Sequence, residues 1–315
     1  MGLKSGNTLP ILGDFLFGGK KRTPAIEIPV LDPRETWSRA PSSALRATWL
    51  GHSTVLLEID GARVLTDPVF GERASPVSFA GPKRFHRPPV RIDQLPALDL
   101  VVLSHDHYDH LCASSIRELV ASGAPLVTSL GVGAHLEALG FPSERIHELD
   151  WWERTRIGGI DVMATPSRHF SGRGVGDRNR TLWSSWVLEG ESQRVFFSGD
   201  TGLTPDFEEI ARRTGRFDLT LLEIGAFNEA WGDIHLGPDH AITAFRMLGG
   251  GTLLPVHWGT FDLGLHAWDE PAEILAGYMD DLRIAMPRLG EAFEPHLDIP
   301  IDAWWRAERE LRAAE

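Results

Sequence analysis

The octapeptide SHDHYDHL, residues 104–111, contains three histidines and two aspartates. It follows the apolar run LDLVV, which is typical of a buried strand. Alternate residues of an extended chain point the same way, so His105 and His107 can share one side. A turn after them can bring Asp109 and His110 round to the same place. Imidazoles and carboxylates buried together without a cation would be poorly paired, so this spacing predicts a metal site.

Three further donors follow other strand-like runs: His169 follows IDVMATPS, Asp200 follows RVFFSG, and His257 follows GTLLPV. Loops at strand ends are where sites are commonly built, although such a residue taken alone is more often a turn former or a satisfied polar group. The complete set of candidate ligands is His105, His107, Asp109, His110, His169, Asp200 and His257. Seven donors exceed the needs of one tetrahedral zinc ion, so we predict two divalent cations. Nitrogen and oxygen donors favour Zn²⁺, and Mn²⁺ or Fe also accept such a set.

The elements that must position these donors alternate along the chain. Strand-like runs such as TVLLEI, LDLVVLS, RVFFS and DLTLLEI are interspersed with helical patterns such as SSIRELVAS and PDHAITAFRML. β-rich blocks with interposed helices predict an α/β (α+β) fold in which sheets pack face to face under outer helices. Residues 1–45 are expected to form an arm that is packed on, or loosely attached to, a domain of residues 46–315. A disordered leader is the alternative for this arm.

Composition restricts the partners of the protein. The 315 residues carry a net charge of −13, which opposes non-specific binding to nucleic acid or anionic lipid. A lone cysteine, Cys112, excludes an internal disulfide and fits a reducing compartment. Apolar runs of signal-peptide or membrane-span length are absent from the sequence, so we expect a cytoplasmic protein without a transmembrane segment. The tryptophan-containing segment IDAWWRAERELRAAE could pack on its own domain or on a second subunit, which leaves the oligomeric state open.

Arginine-rich loops are prominent in a chain this acidic. SRHFSGRGVGDRNR surrounds His169 and supplies Arg173 and Arg178, which we expect to bind a negatively charged substrate, most simply a phosphodiester. A solvated loop without this role is the alternative. Aromatic residues could add an apolar wall to the pocket or belong to the core instead. These aromatic residues are Phe170, Trp183, Trp231 and Trp258.

Two other motifs are weaker. GHSTV, residues 51–55, lacks the second glycine of a nucleophile elbow and continues into a strand, so Ser53 is expected to be structural. GVG, residues 131–133, opens a helix after a strand, but Leu136 stands where a dinucleotide fingerprint needs a small residue. The sequence therefore favours neither a serine nucleophile nor a dinucleotide cofactor.

The order of the donors identifies a family. HDHYDH after LVVLS, a later histidine, the aspartate of GDTG and a final histidine together resemble the metallo-β-lactamase superfamily of dinuclear hydrolases. The segments ATWLGHSTVLLEIDG, LTDPVF, ASPVSFAGPKRF, FSGDTG and PVHWGTF resemble the branch that contains N-acyl-phosphatidylethanolamine phospholipase D and its bacterial relatives. The resemblance implies an αββα sandwich of two mixed sheets.

The resemblance also implies how the donors are divided. It places His105, His107 and His169 on the first ion, it places Asp109, His110 and His257 on the second, and it makes Asp200 the bridge. His235 in IHLGP matches a histidine near the substrate. Asp67 in LTDP is implied near the site, where it could accept a hydrogen bond from a ligand imidazole, although a turn carboxylate before Pro68 is the alternative.

The activity implied is a dinuclear hydrolase, most simply a phospholipase D-like phosphodiesterase. A hydroxide shared by the ions would attack, with Asp109, Asp200 and His235 in catalytic roles. The expected substrate is a small or lipid-like anion, which leaves room for peripheral contact with a membrane. A hydrolase of a lactone, an amide or a sugar-phosphate lactone is the first alternative, and a non-catalytic metal-binding protein is the second. The acidity disfavours a ribonuclease.

Overall fold

The computed structural model of the protein describes residues 21–228, 233–297, 299 and 302–307. Within them, the strands are β1 (Leu45–Gly51), β2 (Thr54–Ile59), β3 (Ala62–Thr66), β4 (Leu100–Leu103), β5 (Leu126–Ser129), β6 (Ile146–Leu149), β7 (Arg154–Ile157), β8 (Ile160–Thr165), β9 (Ser185–Glu189), β10 (Arg194–Phe197), β11 (Leu219–Glu223), β12 (Thr252–Val256) and β13 (Ala292–Phe293). The α-helices are α1 (Arg34–Trp37), α2 (Ala113–Leu119), α3 (Gly133–Ala138), α4 (Asp206–Thr214), α5 (Gly237–Met247) and α6 (Glu270–Ala276).

The strands form two mixed sheets. The first sheet has the order β13-β1-β2-β3-β4-β5-β6, and the second has the order β12-β11-β10-β9-β8-β7. In each sheet an antiparallel part adjoins a parallel part: β3 to β6 are parallel in the first sheet, and β10 to β12 are parallel in the second. Parallel neighbours require crossover connections, and α2, α3, α4 and α5 lie in those connections. The predicted sandwich of two mixed sheets is confirmed.

Alternate residues of the first sheet face two different cores. Leu57 and Val102 belong to the core shared with the second sheet, whereas Leu56 and Val101 face outward to α2 and α3. The shared core also contains residues from the outer face of the second sheet and from α4 and α5. The two sheets are therefore packed face to face and covered by helices, as the apolar runs predict.

The topology brings many strand ends to one edge of the sandwich. β8 is antiparallel to β9, and β9 is antiparallel to β10, so β8 runs in the same direction as β10, β11 and β12. These four strands of the second sheet consequently end at one edge. The loops after β4, β8, β10 and β12 carry the residues that the sequence singles out as metal ligands.

The segment before β1 lies against the domain where it is described. Ile28 is buried in the shared core, and Trp37 donates a 3.0 Å hydrogen bond from Nε1 to Oγ1 of Thr48. Residues 1–20 of the predicted arm lie outside the described residues. At the other end of the chain, Trp304 and Trp305 are buried in the same core, so residues 302–307 pack on their own domain.

Candidate metal centre

The structure brings all seven candidate ligands together. The loop after β4 supplies His105, His107, Asp109 and His110, and single residues come from the loops after β8, β10 and β12. Possible ligands in the described part of the chain form three groups, within each of which the donor atoms lie within 4.8 Å of one another. One group, Asp200, Glu223, His235 and His257, shares Asp200 and His257 with the other two groups, which we call the first and second clusters. The first cluster contains His105, His107, His169 and Asp200, and the second contains His52, Asp109, His110 and His257.

The first cluster consists of three imidazoles and one carboxylate. Nδ1 of His107 lies 2.9 Å from Nε2 of His105 and 3.3 Å from Nε2 of His169. Oδ2 of Asp200 lies 3.8 Å from Nε2 of His105 and 3.7 Å from Nε2 of His169. Three imidazoles and one carboxylate whose donor atoms lie this close together are a typical ligand set for a divalent transition metal.

The second cluster is centred on Asp109. Its Oδ2 lies 3.2 Å from Nε2 of His257 and 3.5 Å from Nε2 of His110. Asp200 also reaches this cluster, because its Oδ2 lies 3.2 Å from Nε2 of His110 and its Oδ1 lies 3.2 Å from Nε2 of His257. Asp200 is thus within reach of both clusters, whereas Asp109 contacts the second cluster.

These donors fit divalent cations on two grounds. Nε2 of His110 and Oδ1 of Asp200 are buried and have no hydrogen-bond partner among the described residues, and leaving buried polar atoms unpaired is costly. For metal–nitrogen bonds of about 2.0–2.1 Å, two ligands of a tetrahedral ion lie about 3.3–3.4 Å apart. The distances within the clusters are close to that separation. The donor set therefore suits the binding of divalent cations.

The electrostatics of the cluster residues also call for positive charge. Burial would raise the pKa of Asp109, but the neighbouring imidazoles of His110, His257 and His52 hold it well below its usual range. Burial would lower the pKa of His257, but the carboxylates of Asp200 and Asp109 raise it to about 10. A cation bound between these carboxylates and His257 would take over the role of that proton.

Buried partners orient the ligand rings from behind. Oδ2 of Asp67 lies 2.6 Å from Nδ1 of His110, and it also accepts a 2.6 Å hydrogen bond from Oγ of Ser104. The Ser104 hydroxyl in turn lies 2.9 Å from Nδ1 of His105. Nδ1 of His169 is 2.8 Å from the carbonyl oxygen of Ile234. An acceptor on Nδ1 fixes the tautomer that leaves Nε2 available to a metal.

A second buried carboxylate, Glu223 at the end of β11, lies beside the clusters. Its Oε2 is 2.6 Å from Nδ1 of His235, and its Oε1 accepts a 2.6 Å hydrogen bond from the backbone N–H of Thr201. Burial raises the pKa of Glu223. Burial alone would lower the pKa of His235, but the Glu223 carboxylate outweighs it and raises that pKa. The side chain of His235 is 13% exposed and lies 4.0 Å from Oδ2 of Asp200, so it stands at the mouth of the site.

Two of these residues, His52 and Glu223, are missed by the sequence analysis. GHSTV draws attention only to its serine, although a histidine in a tight turn between two buried strands is itself a signal. Glu223 ends the apolar run DLTLLE, and a carboxylate in a strand buried on both faces requires a partner. Such a requirement could have marked Glu223 as a residue of interest, but it could not have named His235 as its partner.

The candidate substrate-binding residues differ in their surroundings. The guanidinium of Arg173 donates from Nη1 to the carbonyl oxygens of Asp106 and Leu111 and lies 4.0 Å from the ring centre of Tyr108. These contacts hold the loop to the metal-binding segment. The guanidinium of exposed Arg178 lies 4.3 Å from the ring centre of Phe170.

The aromatic residues also differ in their surroundings, since one borders the first cluster and another lies in the hydrophobic core. Phe170 packs against His107 and His169 with ring centroids 4.7 Å away in each case, so it borders the first cluster. Trp258 is 3% exposed and stacks against Trp49 at 5.4 Å and Trp304 at 5.3 Å. These contacts place the Trp258 ring in the hydrophobic core. Trp231 lies outside the described residues.

Comparison with known proteins identifies the family. Residues 62–258 match a family model described as the β-lactamase superfamily domain, which covers more than half of the chain. The chain belongs to the metallo-β-lactamase superfamily. A possible metal-dependent hydrolase from Veillonella parvula has the same fold, with a TM-score of 0.64 at 18% identity over 80% of this chain and 99% of that one.

Sequence relatives within the superfamily have higher sequence identity to this chain than the Veillonella protein has. An uncharacterized protein of Mycobacterium tuberculosis is 48% identical over 289 residues, which cover 90% of this chain and 77% of the relative. N-acyl-phosphatidylethanolamine-hydrolyzing phospholipase D 1 of Caenorhabditis elegans is 37% identical over 251 residues, 76% of this chain and 70% of the relative. A metal-dependent hydrolase of Pyrobaculum arsenaticum is 29% identical over 220 residues, 70% of this chain and 86% of the relative.

The resemblance that the sequence motifs predict is therefore confirmed, and this member of the metallo-β-lactamase superfamily is a metal-dependent hydrolase. In the part of the chain that the structure describes, we find no helix long and apolar enough to cross a bilayer.

Proposed function

We propose that this superfamily member is a dinuclear phosphodiesterase of the phospholipase D type, with Zn²⁺ as the first choice of metal. The observation that carries the proposal is the position of Asp200, whose carboxylate oxygens lie within 3.2–3.8 Å of imidazole nitrogens from both clusters. One carboxylate shared by two sets of histidines could hold two cations together. When bound, such a pair lowers the pKa of a water molecule toward 7 and offsets negative charge on the substrate.

The protein side chains supply the remaining functions. Asp109 is 15% exposed, so it faces the entrance and can orient the attacking water as well as ligate. His235 is the proton donor to the leaving group. Since Nδ1 of His235 is held by Glu223, its other ring nitrogen is the one that can serve the substrate. An alkoxide leaving group takes this proton as the phosphorus–oxygen bond breaks, which is why a raised pKa at His235 suits the role.

The charge of the surrounding loop supports an anionic substrate. Arg178 stacks on Phe170, and Phe170 borders His107 and His169. A guanidinium in this position can meet a phosphodiester oxygen beside the first cluster. The half-buried ring of Phe170 offers an apolar contact to the organic part of the substrate. We propose a small or lipid-like phosphodiester, in keeping with the substrate named for the nematode relative.

The location of the protein is part of the same proposal. The chain has a single cysteine, Cys112, which is buried, and this fits a reducing compartment. The net charge of −13 means that contact with anionic lipid requires a local basic patch. We therefore propose a cytoplasmic enzyme that meets lipid substrates through the loops around the site.

Hydrolysis assays test the proposed reaction. The purified protein is given an aryl phosphodiester, an acyl lactone and a β-lactam, before chelation, after chelation and after Zn²⁺ is restored. We expect turnover of the phosphodiester that disappears on chelation and returns with two zinc ions per chain. If only the lactone is hydrolysed, the protein is a lactonase and the proposed phosphodiesterase activity is wrong. Absence of turnover on all three substrates by the two-zinc protein would favour a non-catalytic metal-binding role.

A further inference from the structure

His52 lies in the turn between β1 and β2, outside the ligand set that the motifs predict. Its Nε2 is 3.1 Å from Oδ2 of Asp109. The same oxygen lies 3.2 Å from Nε2 of His257 and 3.5 Å from Nε2 of His110. Three imidazole nitrogens therefore converge on one carboxylate oxygen from three separate loops.

Hydrogen bonding alone accounts poorly for this convergence. A carboxylate oxygen has two lone-pair directions, so three N–H donors around Oδ2 of Asp109 exceed what it accepts well. Nε2 of His110 in fact has no hydrogen-bond partner within the described chain. Separations of 3.1–3.5 Å between donor atoms are those of ligands that share an ion, because bonds of about 2.0–2.1 Å at the angles of about 90–120° in a five-coordinate site give about 2.9–3.6 Å.

The backbone holds His52 and His257 as a pair. The N–H of His257 donates a 3.0 Å hydrogen bond to the carbonyl of His52, and their ring centroids are 4.0 Å apart. Both residues have a left-handed backbone, with φ of 52° at His52 and 63° at His257. This conformation is costly for residues other than glycine and is kept where surrounding structure enforces it, often at functional sites.

Other bonds enforce the conformation of His52. Its N–H donates a 2.7 Å hydrogen bond to Oγ1 of Thr260, and its carbonyl also accepts a 2.8 Å hydrogen bond from Nε1 of Trp49. With the bond from His257, every backbone hydrogen-bonding group of His52 is used. The side chain is left to face Asp109, with the residue only 1% exposed.

We propose that His52 is a ligand of the ion in the second cluster. This inference rests on the proposed two-ion site and deepens it. The second ion would then have five protein ligands, namely His52, Asp109, His110, His257 and Asp200. The first ion would have four, namely His105, His107, His169 and Asp200. The first ion consequently keeps more room for substrate and is the ion that a chelator removes first.

Substitution by glutamine separates ligation from hydrogen bonding. In His52→Gln the side-chain amide nitrogen can occupy the position of Nε2 and still donate to Asp109, but it lacks the imidazole lone pair that ligates a metal. His86→Gln is the matched control, because His86 is a buried histidine near the same turn and its Nε2 lies 3.2 Å from Thr260 rather than from a cluster residue.

The measurement is metal affinity, which does not depend on activity. Wild type, His52→Gln and His86→Gln are titrated with Co²⁺ against a competing chelator, and the visible absorption of each loaded protein is recorded. We expect two ions in the wild type. In His52→Gln the second ion should bind at least about 100-fold more weakly, beyond the 10–100-fold typical of residues that only support a ligand, with an altered Co²⁺ spectrum. The affinity for the other ion should be unchanged, and His86→Gln should match the wild type.

The opposing outcomes are distinct. Two ions in the wild type, with unchanged affinity and spectrum in His52→Gln, would overturn the role of His52 alone. A single ion in the wild type would overturn the two-ion site and this inference together. Should His52→Gln fail to fold, long-range ¹⁵N–¹H NMR of the zinc-loaded wild type decides the matter. A ligated Nε2 of His52 supports the proposal, and a protonated Nε2 refutes it.

Discussion

The carboxylate of Glu223 lies 2.6 Å from Nδ1 of His235, and neither residue is adjacent to the histidine-rich segment in sequence. The same carboxylate accepts a 2.6 Å hydrogen bond from the backbone N–H of Thr201, directly after Asp200. Its Oε2 also lies 3.9 Å from Nδ1 of His257. Glu223 therefore ties the proposed proton donor to the loops that carry two of the candidate ligands.

Replacing Glu223 with glutamine tests the interaction between Glu223 and His235. Because the Glu223 carboxylate raises the pKa of His235, a neutral amide should let that pKa fall. A proton donor is active below its pKa, so the alkaline limb of the kcat profile should move to lower pH, and kcat should fall about 100-fold. The measurement is the pH dependence of kcat and KM, with surface Glu118→Gln as the control. An unchanged alkaline limb would contradict the assignment of His235 as the donor.

Asp200→Asn should remove metal from both clusters. The amide keeps the shape of the side chain but removes the negative charge that lies beside the imidazoles of both clusters. Because that charge stabilises bound cations, we expect fewer than one ion per chain and no measurable hydrolysis. Metal content by elemental analysis and turnover of the phosphodiester provide the check. Asp93→Asn, at an exposed carboxylate on the surface, should retain two ions. A variant of Asp200 that still holds two ions and turns over substrate would exclude a bridging role.

Arg178→Ala should raise KM for anionic substrates. Loss of the guanidinium beside Phe170 removes positive charge near the first cluster, so KM for an aryl phosphodiester should rise about 10-fold while KM for a neutral ester changes little. Arg117→Ala makes the same charge change at an exposed position of α2 and should leave both KM values as they are. Equal effects of Arg178→Ala on the two substrates would show that the loop does not select charge. Arg173 is unsuitable for this test because its guanidinium holds the loop in place.

His86 should make the fold sensitive to acid. Burial, and then the charge of Arg84, lowers the pKa of His86 to about 3 in the folded protein, whereas the unfolded chain binds the proton at about 6.5. Below pH 6.5 the unfolded state gains this proton first, so the free energy of unfolding should decrease as the pH falls toward 3, by about 2 kcal/mol between pH 7 and pH 5.

Urea unfolding of the metal-free protein at pH 7 and pH 5 measures this effect. His86→Gln should lose less stability than the wild type between these values, because its side chain does not titrate. Exposed His240→Gln should show the wild-type dependence. Equal loss in His86→Gln and wild type would mean that His86 is not held neutral by the fold.

Local patterns were sufficient for much of the architecture. Apolar runs such as DLTLLEI predict the buried strands of both sheets, because alternation and burial on two faces leave a signal in a short window. The edge strand β7, RTRI, was not predicted, since its side chains are alternately exposed and half-buried and include two arginines. β13 is two residues long and forms through pairing with β1, which no short window reveals.

The motif around His105 likewise determined most of the candidate site, because four of its donors lie within six residues and the others follow recognisable strands. Only the tertiary structure decided which residues from distant parts of the chain contact this motif. His52 meets Asp109 across 57 residues, and His257 meets it across 148. The core position of Trp258 and the anchoring role of Arg173 were decided in the same way. Ligand type and spacing are properties of a segment, but burial and proximity arise only when distant loops converge at one edge of two packed sheets.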